Sequence, residues 1–194
     1  MSTIPNQNLI QYQLQNGLRL MLKEIHTAPV TSTWIWYGIG SRNEQPGKTG
    51  LSHWVEHMQF KGTRKYSGED IDNLVSRVGG YANAFTSPDW TTYFETMPSD
   101  HLRSTLELEA DRMVNSRFDP DEVETERTVI LSEREGSENY PEFRLDEAVQ
   151  QRAFQAHPYR NEVLGSKDDL RATTRDDLYQ HYRRYYQPSN AILC

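Results

Sequence analysis

Alternating apolar and polar positions indicate several short β-strands along this chain. The clearest pair flanks Asn16-Gly17, a dipeptide that favours the tight turn of a β-hairpin. A second pair is predicted around Ser87-Pro88-Asp89, where turn residues separate two segments rich in aromatic and β-branched residues. The apolar segment 30–39 predicts a buried strand. Strands are thus predicted over 10–14, 18–23, 30–39, 81–86 and 91–97, with another beginning at 191.

Apolar residues that recur every three or four positions predict helices between and after these strands. One helix is predicted over 51–60, directly after a polar, glycine-containing loop. Two others begin with the spacing of a capping box, in which Ser67 precedes Asp70 and Thr174 precedes Asp177. These signals fix where three helices begin.

Three further helices are predicted to begin at Ser99, near Pro120 and after Pro141. The apolar positions of the first of these share one face: Leu102, Leu106, Ala110 and Met113. The order of strands, helices, strands and then several helices predicts an α+β fold, with helices packed on a largely antiparallel mixed sheet.

Composition bounds the class of protein without identifying it. The 194 residues, of which 36% are hydrophobic and 25% charged, are enough for a single domain over 1–194. A net charge of −7 argues against nonspecific binding to nucleic acid, and no apolar segment is long enough to span a membrane. The polar N-terminus resembles neither a signal peptide nor a transit peptide, so we expect a cytoplasmic location or a mature form that has lost its targeting segment. Cys194 is the single cysteine, so no internal disulfide is expected.

The strongest chemical signal is the segment His53-Trp-Val-Glu56-His57, which falls in the helix predicted over 51–60. Helical spacing places both histidines and Glu56 on one face. Two imidazoles four residues apart can hold one zinc ion, and a neighbouring carboxylate can act on a metal-bound water. The order is the reverse of the H-E-x-x-H protease motif. For these five residues alone, the alternative is a pair of structural histidines that share a helix.

A catalytic zinc usually needs a third protein ligand, and the residues leave two carboxylates open for that place. The other histidines stand in unrelated local contexts: His26, His101, His157 and His181. In the acidic helix that begins near Pro120, Glu126 and Glu133 are seven residues apart. Seven residues make two helical turns, so both side chains lie on one side of the helix. Spacing alone does not choose between them.

Several separated segments carry distinctive residues, at 40–44, 53–63, 80–93, 126–133, 157–159 and 186–191. In their order, and from about residue 8 to the end, they resemble the pitrilysin/insulinase family of zinc metallopeptidases. The resemblance is closest to bacterial relatives of the mitochondrial processing peptidase β subunit. Arg134 departs from it, since the family commonly has an apolar residue there.

The resemblance implies a role for each candidate residue. Glu133 would be the third zinc ligand beside His53 and His57, while Glu126 would orient a ligand or tune its basicity. Glu56 would be the general base that activates the zinc-bound water. The implied function is that of a zinc-dependent endopeptidase, which hydrolyses peptides or short unfolded segments.

The resemblance also implies a substrate strand and a missing partner. Asn83 and Ala84 would lie on an edge strand that binds an extended peptide substrate through its backbone. Family members pair this domain with a similar, non-catalytic one, so we expect a second homologous domain or subunit as partner. Because the chain stops within the strand predicted from 191, we expect an incomplete C-terminus and weak or no activity alone. The alternative is a non-catalytic scaffold or subunit of a larger complex that retains the metal site.

Overall fold

A single mixed β-sheet organises the computed structural model, which describes residues 9–194. Its strands are β1 Leu9–Gln13, β2 Arg19–Lys23, β3 Val30–Tyr37, β4 Tyr81–Thr86, β5 Thr91–Pro98 and β6 Ala191–Leu193. They lie in the order β1-β2-β6-β3-β5-β4. The β2–β6 pair is parallel, whereas β1–β2, β3–β5, β3–β6 and β4–β5 are antiparallel. This order places β4 at one edge of the sheet.

Helices pack on this sheet, which confirms the predicted α+β fold. They are α1 Leu51–Met58, α2 Gly68–Ser76, α3 Leu102–Asn115, α4 Pro120–Ser137, α5 Pro141–Ala153, α6 Lys167–Ala172 and α7 Arg175–Tyr185. The capping boxes predicted from Ser67 and Thr174 begin α2 and α7. The short α6 was not predicted, and the Ser166 side chain caps its N-terminus. Among residues 9–194, no helix combines the length and the apolar character needed to cross a lipid bilayer.

The side chains of β3 alternate between the two faces of the sheet. Thr33, Ile35 and Tyr37 are buried on the face that the helices cover. Trp34 and Trp36 lie on the opposite face and are only partly buried. The segment was predicted to be a buried strand, but it is buried on one face only, because the helices cover only one side of the sheet.

Helix α1 sits at the centre of the core. Trp54, Val55 and Met58 are fully buried and belong to the same cluster as Tyr37 and Tyr93 of the sheet. Burial of this much apolar surface is the main term that fixes the position of α1. The motif-bearing helix is therefore among the best-anchored elements of the fold.

Helix α3 buries a different face from the one predicted. Leu102 and Leu106 are each 37% exposed, and Ala110 is exposed, although Met113 is buried as expected. The buried positions of the helix are Thr105, Leu108, Glu109, Arg112 and Met113. Arg112 bonds both Glu109 and, at 2.6 Å, Glu95 of β5. A buried guanidinium needs such carboxylate partners, so this ion cluster turns the helix away from its leucine stripe.

Candidate metal centre

The N-terminus of α1 is fixed by a buried polar network. Gly50 precedes the helix with φ of +88°, and a Cβ there would lie 2.7 Å from the carbonyl oxygen of Leu164, so glycine is required. The Glu44 carboxylate accepts hydrogen bonds from the N–H groups of Gly50 and Ser52 at 2.8 and 2.7 Å. These bonds satisfy helix-terminal donors that would otherwise be unpaired. Burial raises the pKa of Glu44 to about 7.

A histidine supports the same end of the helix. The buried His181 of α7 has its Nε2 atom 3.2 Å from the hydroxyl of Ser52. Burial lowers the pKa of His181 to about 4, so this imidazole is neutral near pH 7. Neither Glu44 nor His181 was given a role from the sequence, and the contact of His181 joins segments 129 residues apart.

His53 and His57 project from the face of α1 that α4 approaches. The Nε2 atom of each lies 3.7 Å from Oε2 of Glu133. One ligand atom from each of the three residues lies within 4.8 Å of the other two. The structure therefore brings together the three side chains that the resemblance assigned to zinc.

Helical spacing could not decide whether Glu126 or Glu133 is the third ligand, but the two carboxylates lie in different environments. One oxygen of Glu126 lies 2.9 Å from Nδ1 of His57, and Lys61 bonds the other. The Glu126 side chain is 4% exposed, compared with 44% for Glu133. Burial acts to raise the pKa of Glu126, but the hydrogen bonds from Lys61 and His57 hold it below its usual range. Glu126 thus lies behind His57, where it can fix the tautomer and orientation of the ring.

The protonation state of His53 favours the binding of a cation. Burial, together with the neighbouring His57, lowers the pKa of His53 to about 3. His53 is therefore neutral at pH 7, which is the form that binds metals. Two imidazole nitrogens and one carboxylate match the donor set of catalytic zinc sites, so the residues fit a zinc ion. That they bind zinc stays a prediction.

Glu56 lies beside this cluster and is held by a residue that the sequence did not single out. Its Oε2 atom accepts a hydrogen bond of 2.5 Å from the hydroxyl of Thr86, the last residue of β4. Burial raises the pKa of Glu56, and the hydrogen bond from Thr86 opposes that rise. A carboxylate with a raised pKa beside a candidate metal site is a candidate general base.

The two predicted substrate residues lie on opposite faces of β4. Ala84 packs against the core on the side that α1 covers, whereas the amide of Asn83 donates to the hydroxyl of Tyr81 at 3.0 Å. The N–H of Ala84 donates to Oδ1 of Asn83 at 2.8 Å. The Asn83 side chain is therefore not part of the metal cluster, although both residues lie on an edge strand as predicted.

Comparison with known proteins adds independent support for the family. The profile of the family described as Insulinase (Peptidase family M16) matches residues 19–167. An uncharacterized zinc protease of Bacillus subtilis, YmxG, is 32% identical over 94% of the chain. A probable mitochondrial-processing peptidase subunit beta of Arabidopsis thaliana is 30% identical over 93% of the chain. The chain spans 45% of the first relative's length and 34% of the second's.

A solved structure has the same fold. The crystal structure of a protease from Helicobacter pylori superposes with a TM-score of 0.93, at 34% identity. The match covers 96% of this chain and 45% of the Helicobacter chain. The fold described above therefore corresponds to about half of that protease.

Proposed function

This chain belongs to the insulinase family, peptidase family M16, and we propose that it carries the catalytic half of a zinc-dependent endopeptidase. The observation that supports this proposal is the convergence of His53, His57 and Glu133, with Glu56 beside them. The substrates would be peptides or short unfolded segments, because a backbone has to be extended to add to a sheet edge. The relative from Bacillus subtilis that is named a zinc protease supports the choice of metal.

The residues of the cluster have distinct tasks in this proposal. His53, His57 and Glu133 would hold the ion, and a bound zinc acts as a Lewis acid that lowers the pKa of water to about 7. Glu56 takes the proton of the attacking water and later delivers it to the leaving amine. Glu126 keeps the His57 ring oriented through Nδ1, with Lys61 on its other oxygen.

The substrate would bind beside the metal cluster along β4. Within residues 9–194, this strand pairs with β5 on one side and with no strand on the other, so an extended peptide can continue the sheet there. Ala84 faces α1 and is small, which leaves room for the peptide to approach the cluster. Asn83 would contact the peptide from the opposite face of the same strand.

We further propose that a second, homologous domain or subunit completes the enzyme. The two relatives and the Helicobacter protease are each more than twice the length of the matched region. Groups from such a second half would help to enclose the peptide, so the chain alone is expected to cleave weakly. The single domain over 1–194 and the cytoplasmic location stay predictions.

The test is zinc content and peptide hydrolysis on wild type, Glu56→Gln and Glu133→Gln. We expect about one zinc per wild-type chain. Glu56→Gln should keep its zinc and lose turnover by at least about 10²-fold, since a general base contributes about that much. Glu133→Gln should lose most of its zinc. Zinc binding without any turnover when the second half is supplied would favour the non-catalytic scaffold, and hydrolysis that persists in Glu56→Gln would contradict the assigned base.

A further inference from the structure

We propose that Thr86 is a positioning residue, whose hydroxyl holds Glu56 so that one carboxylate oxygen stays free for proton transfer. This inference rests on the proposed function, in which Glu56 is the general base. It also gives a role to the end of β4 that differs from binding the peptide backbone.

The contact itself carries the first step. The Thr86 hydroxyl donates to Oε2 of Glu56 at 2.5 Å. A hydroxyl has one proton to donate, so it engages a single carboxylate oxygen and leaves the second for another donor. A carboxylate without this bond rotates about its terminal torsion, which is broad in glutamate. Thr86 therefore selects both the orientation of the group and the oxygen that faces the substrate.

Thr86 is itself held on two sides, which a positioning residue requires. Within the sheet it pairs with Thr91 of β5. The turn that follows it is tied to the loop before α1, since the N–H groups of Ser41 and Arg42 donate to the carbonyls of Ser87 and Pro88 at 3.3 and 3.0 Å. The end of β4 is thus fixed by backbone bonds.

Gly40 makes this close approach possible. A Cβ at this position would lie 2.2 Å from the carbonyl oxygen of Ser87 and 2.6 Å from that of Pro88. Contacts this short exclude any side chain, so the loop meets the turn only with glycine here. Gly40 begins the segment 40–44, which is part of the resemblance but was given no role. The close contact with the turn explains why this position is a glycine.

Side chains reinforce the same junction. Asp89 pairs with Arg42 at 2.9 Å and accepts a hydrogen bond from the hydroxyl of Tyr159 at 2.7 Å. Three segments far apart in the sequence, 40–44, 80–93 and 157–159, therefore meet at the turn that follows Thr86. Their convergence explains, in physical terms, why each carries distinctive residues without contributing a metal ligand.

The position of Thr86 also links the base to the substrate strand. Thr86 and Ala84 are two residues apart in β4 and so lie on the same face, towards α1. A peptide added along the free edge would contact the strand whose last residue holds Glu56. Substrate register and the orientation of the base thereby depend on one element.

The experiment compares Thr86→Val, Thr86→Ser and the matched control Thr91→Val on the zinc-loaded chain. Thr91 is the cross-strand neighbour of Thr86, and its buried hydroxyl donates to the carbonyl of Ile39 at 2.9 Å, away from Glu56. We expect Thr86→Val to lower kcat by on the order of tenfold with KM and zinc content unchanged, part of the 10²- to 10⁴-fold due to a general base. Thr86→Ser should restore kcat, and Thr91→Val should keep it.

Crystal structures of the same variants provide a readout that does not depend on activity. The Glu56 carboxylate should keep one orientation in wild type and Thr86→Ser, and should adopt several in Thr86→Val. A single wild-type orientation in Thr86→Val, or an equal loss of kcat in Thr91→Val, would overturn the proposal. If wild type binds zinc but cleaves nothing even when the second half is supplied, the proposed function fails, while the crystal structures still decide whether Thr86 positions Glu56.

Discussion

Helices α1 and α4 meet at the candidate metal centre, but they are built in opposite ways. In α1 every residue except His57 is buried. In α4, which is more than twice as long, the buried residues are Val123, Glu126, Ile130 and Arg134. Two of the proposed ligands therefore come from a helix fixed by the core, and the third comes from a helix that faces solvent along most of its length.

The anchoring of α4 near Glu133 is mostly ionic. Arg134 is buried and reaches both oxygens of Glu147 in α5 at 2.8 Å and Glu138 at 3.2 Å. Its guanidinium also lies 5.0 Å from the ring centre of Phe143. An arginine where the family commonly has an apolar residue is thus accommodated by partners on the next helix. One site can therefore combine ligands from a helix fixed by apolar packing with a ligand from a helix fixed by ion pairs.

The largest effect should come from removing a ligand held by packing. Structural zinc sites with four ligands bind with about 10–16 kcal/mol, which is roughly 10²- to 10³-fold in affinity per ligand. We expect His53→Asn to weaken zinc binding by about 10³-fold or more, because His53 is only 8% exposed and water cannot replace its imidazole. Glu133→Gln should cost about 10²-fold, since water can reach that position. Competition titration with a zinc chelator measures both dissociation constants, and equal losses would contradict the difference between a buried and an exposed ligand.

A smaller effect should follow from the carboxylate behind His57. Glu126→Gln keeps the shape of the side chain but weakens its bond to Nδ1 of His57, and such changes typically cost 10- to 100-fold in metal affinity. Glu124→Gln is the matched control, because Glu124 lies on the same helix with its side chain 66% exposed. The same titration should leave the control at the wild-type affinity. A loss in Glu124→Gln equal to that in Glu126→Gln would mean that net charge, not orientation of His57, sets the affinity.

The same contrast explains what the sequence could predict. The motif in α1 was recognised because its spacing is local, and helical geometry alone places His53, Glu56 and His57 together. Glu126 and Glu133 share one side of α4, so spacing could not separate them. What separates them in the structure is burial and the bond from Lys61, which follows α1 in the chain. The choice of Glu133 as the third metal ligand comes from the resemblance to the family.

Errors and omissions arose where side chains from distant segments meet. The leucine stripe of α3 predicted the wrong face because nothing local indicates that Arg112 pairs with Glu95 of β5. Thr86 was part of a recognised segment, but its contact with Glu56 joins a strand to a helix thirty residues away. Element types were predicted well because they depend on local periodicity, whereas polar partners across the core depend on the completed fold.

The smallest effect concerns the buried network that supports α1. Because burial lowers the pKa of His181 from an ordinary 6.5 to about 4, the unfolded chain takes up a proton on this group before the folded chain does. The stability from a neutral His181 is therefore present above pH 6.5 and is lost as pH falls towards 4. At pH 5.5, one unit below the pKa of the unfolded state, the loss of stability should be about 1.4 kcal/mol.

His181→Gln, which can still bond Ser52, should show a correspondingly weaker loss of stability between pH 7 and 5.5 in urea titrations of the metal-free chain. The exposed His26 provides the control, since His26→Gln should follow wild type, and an unchanged slope in His181→Gln would show that α1 does not depend on this neutral imidazole.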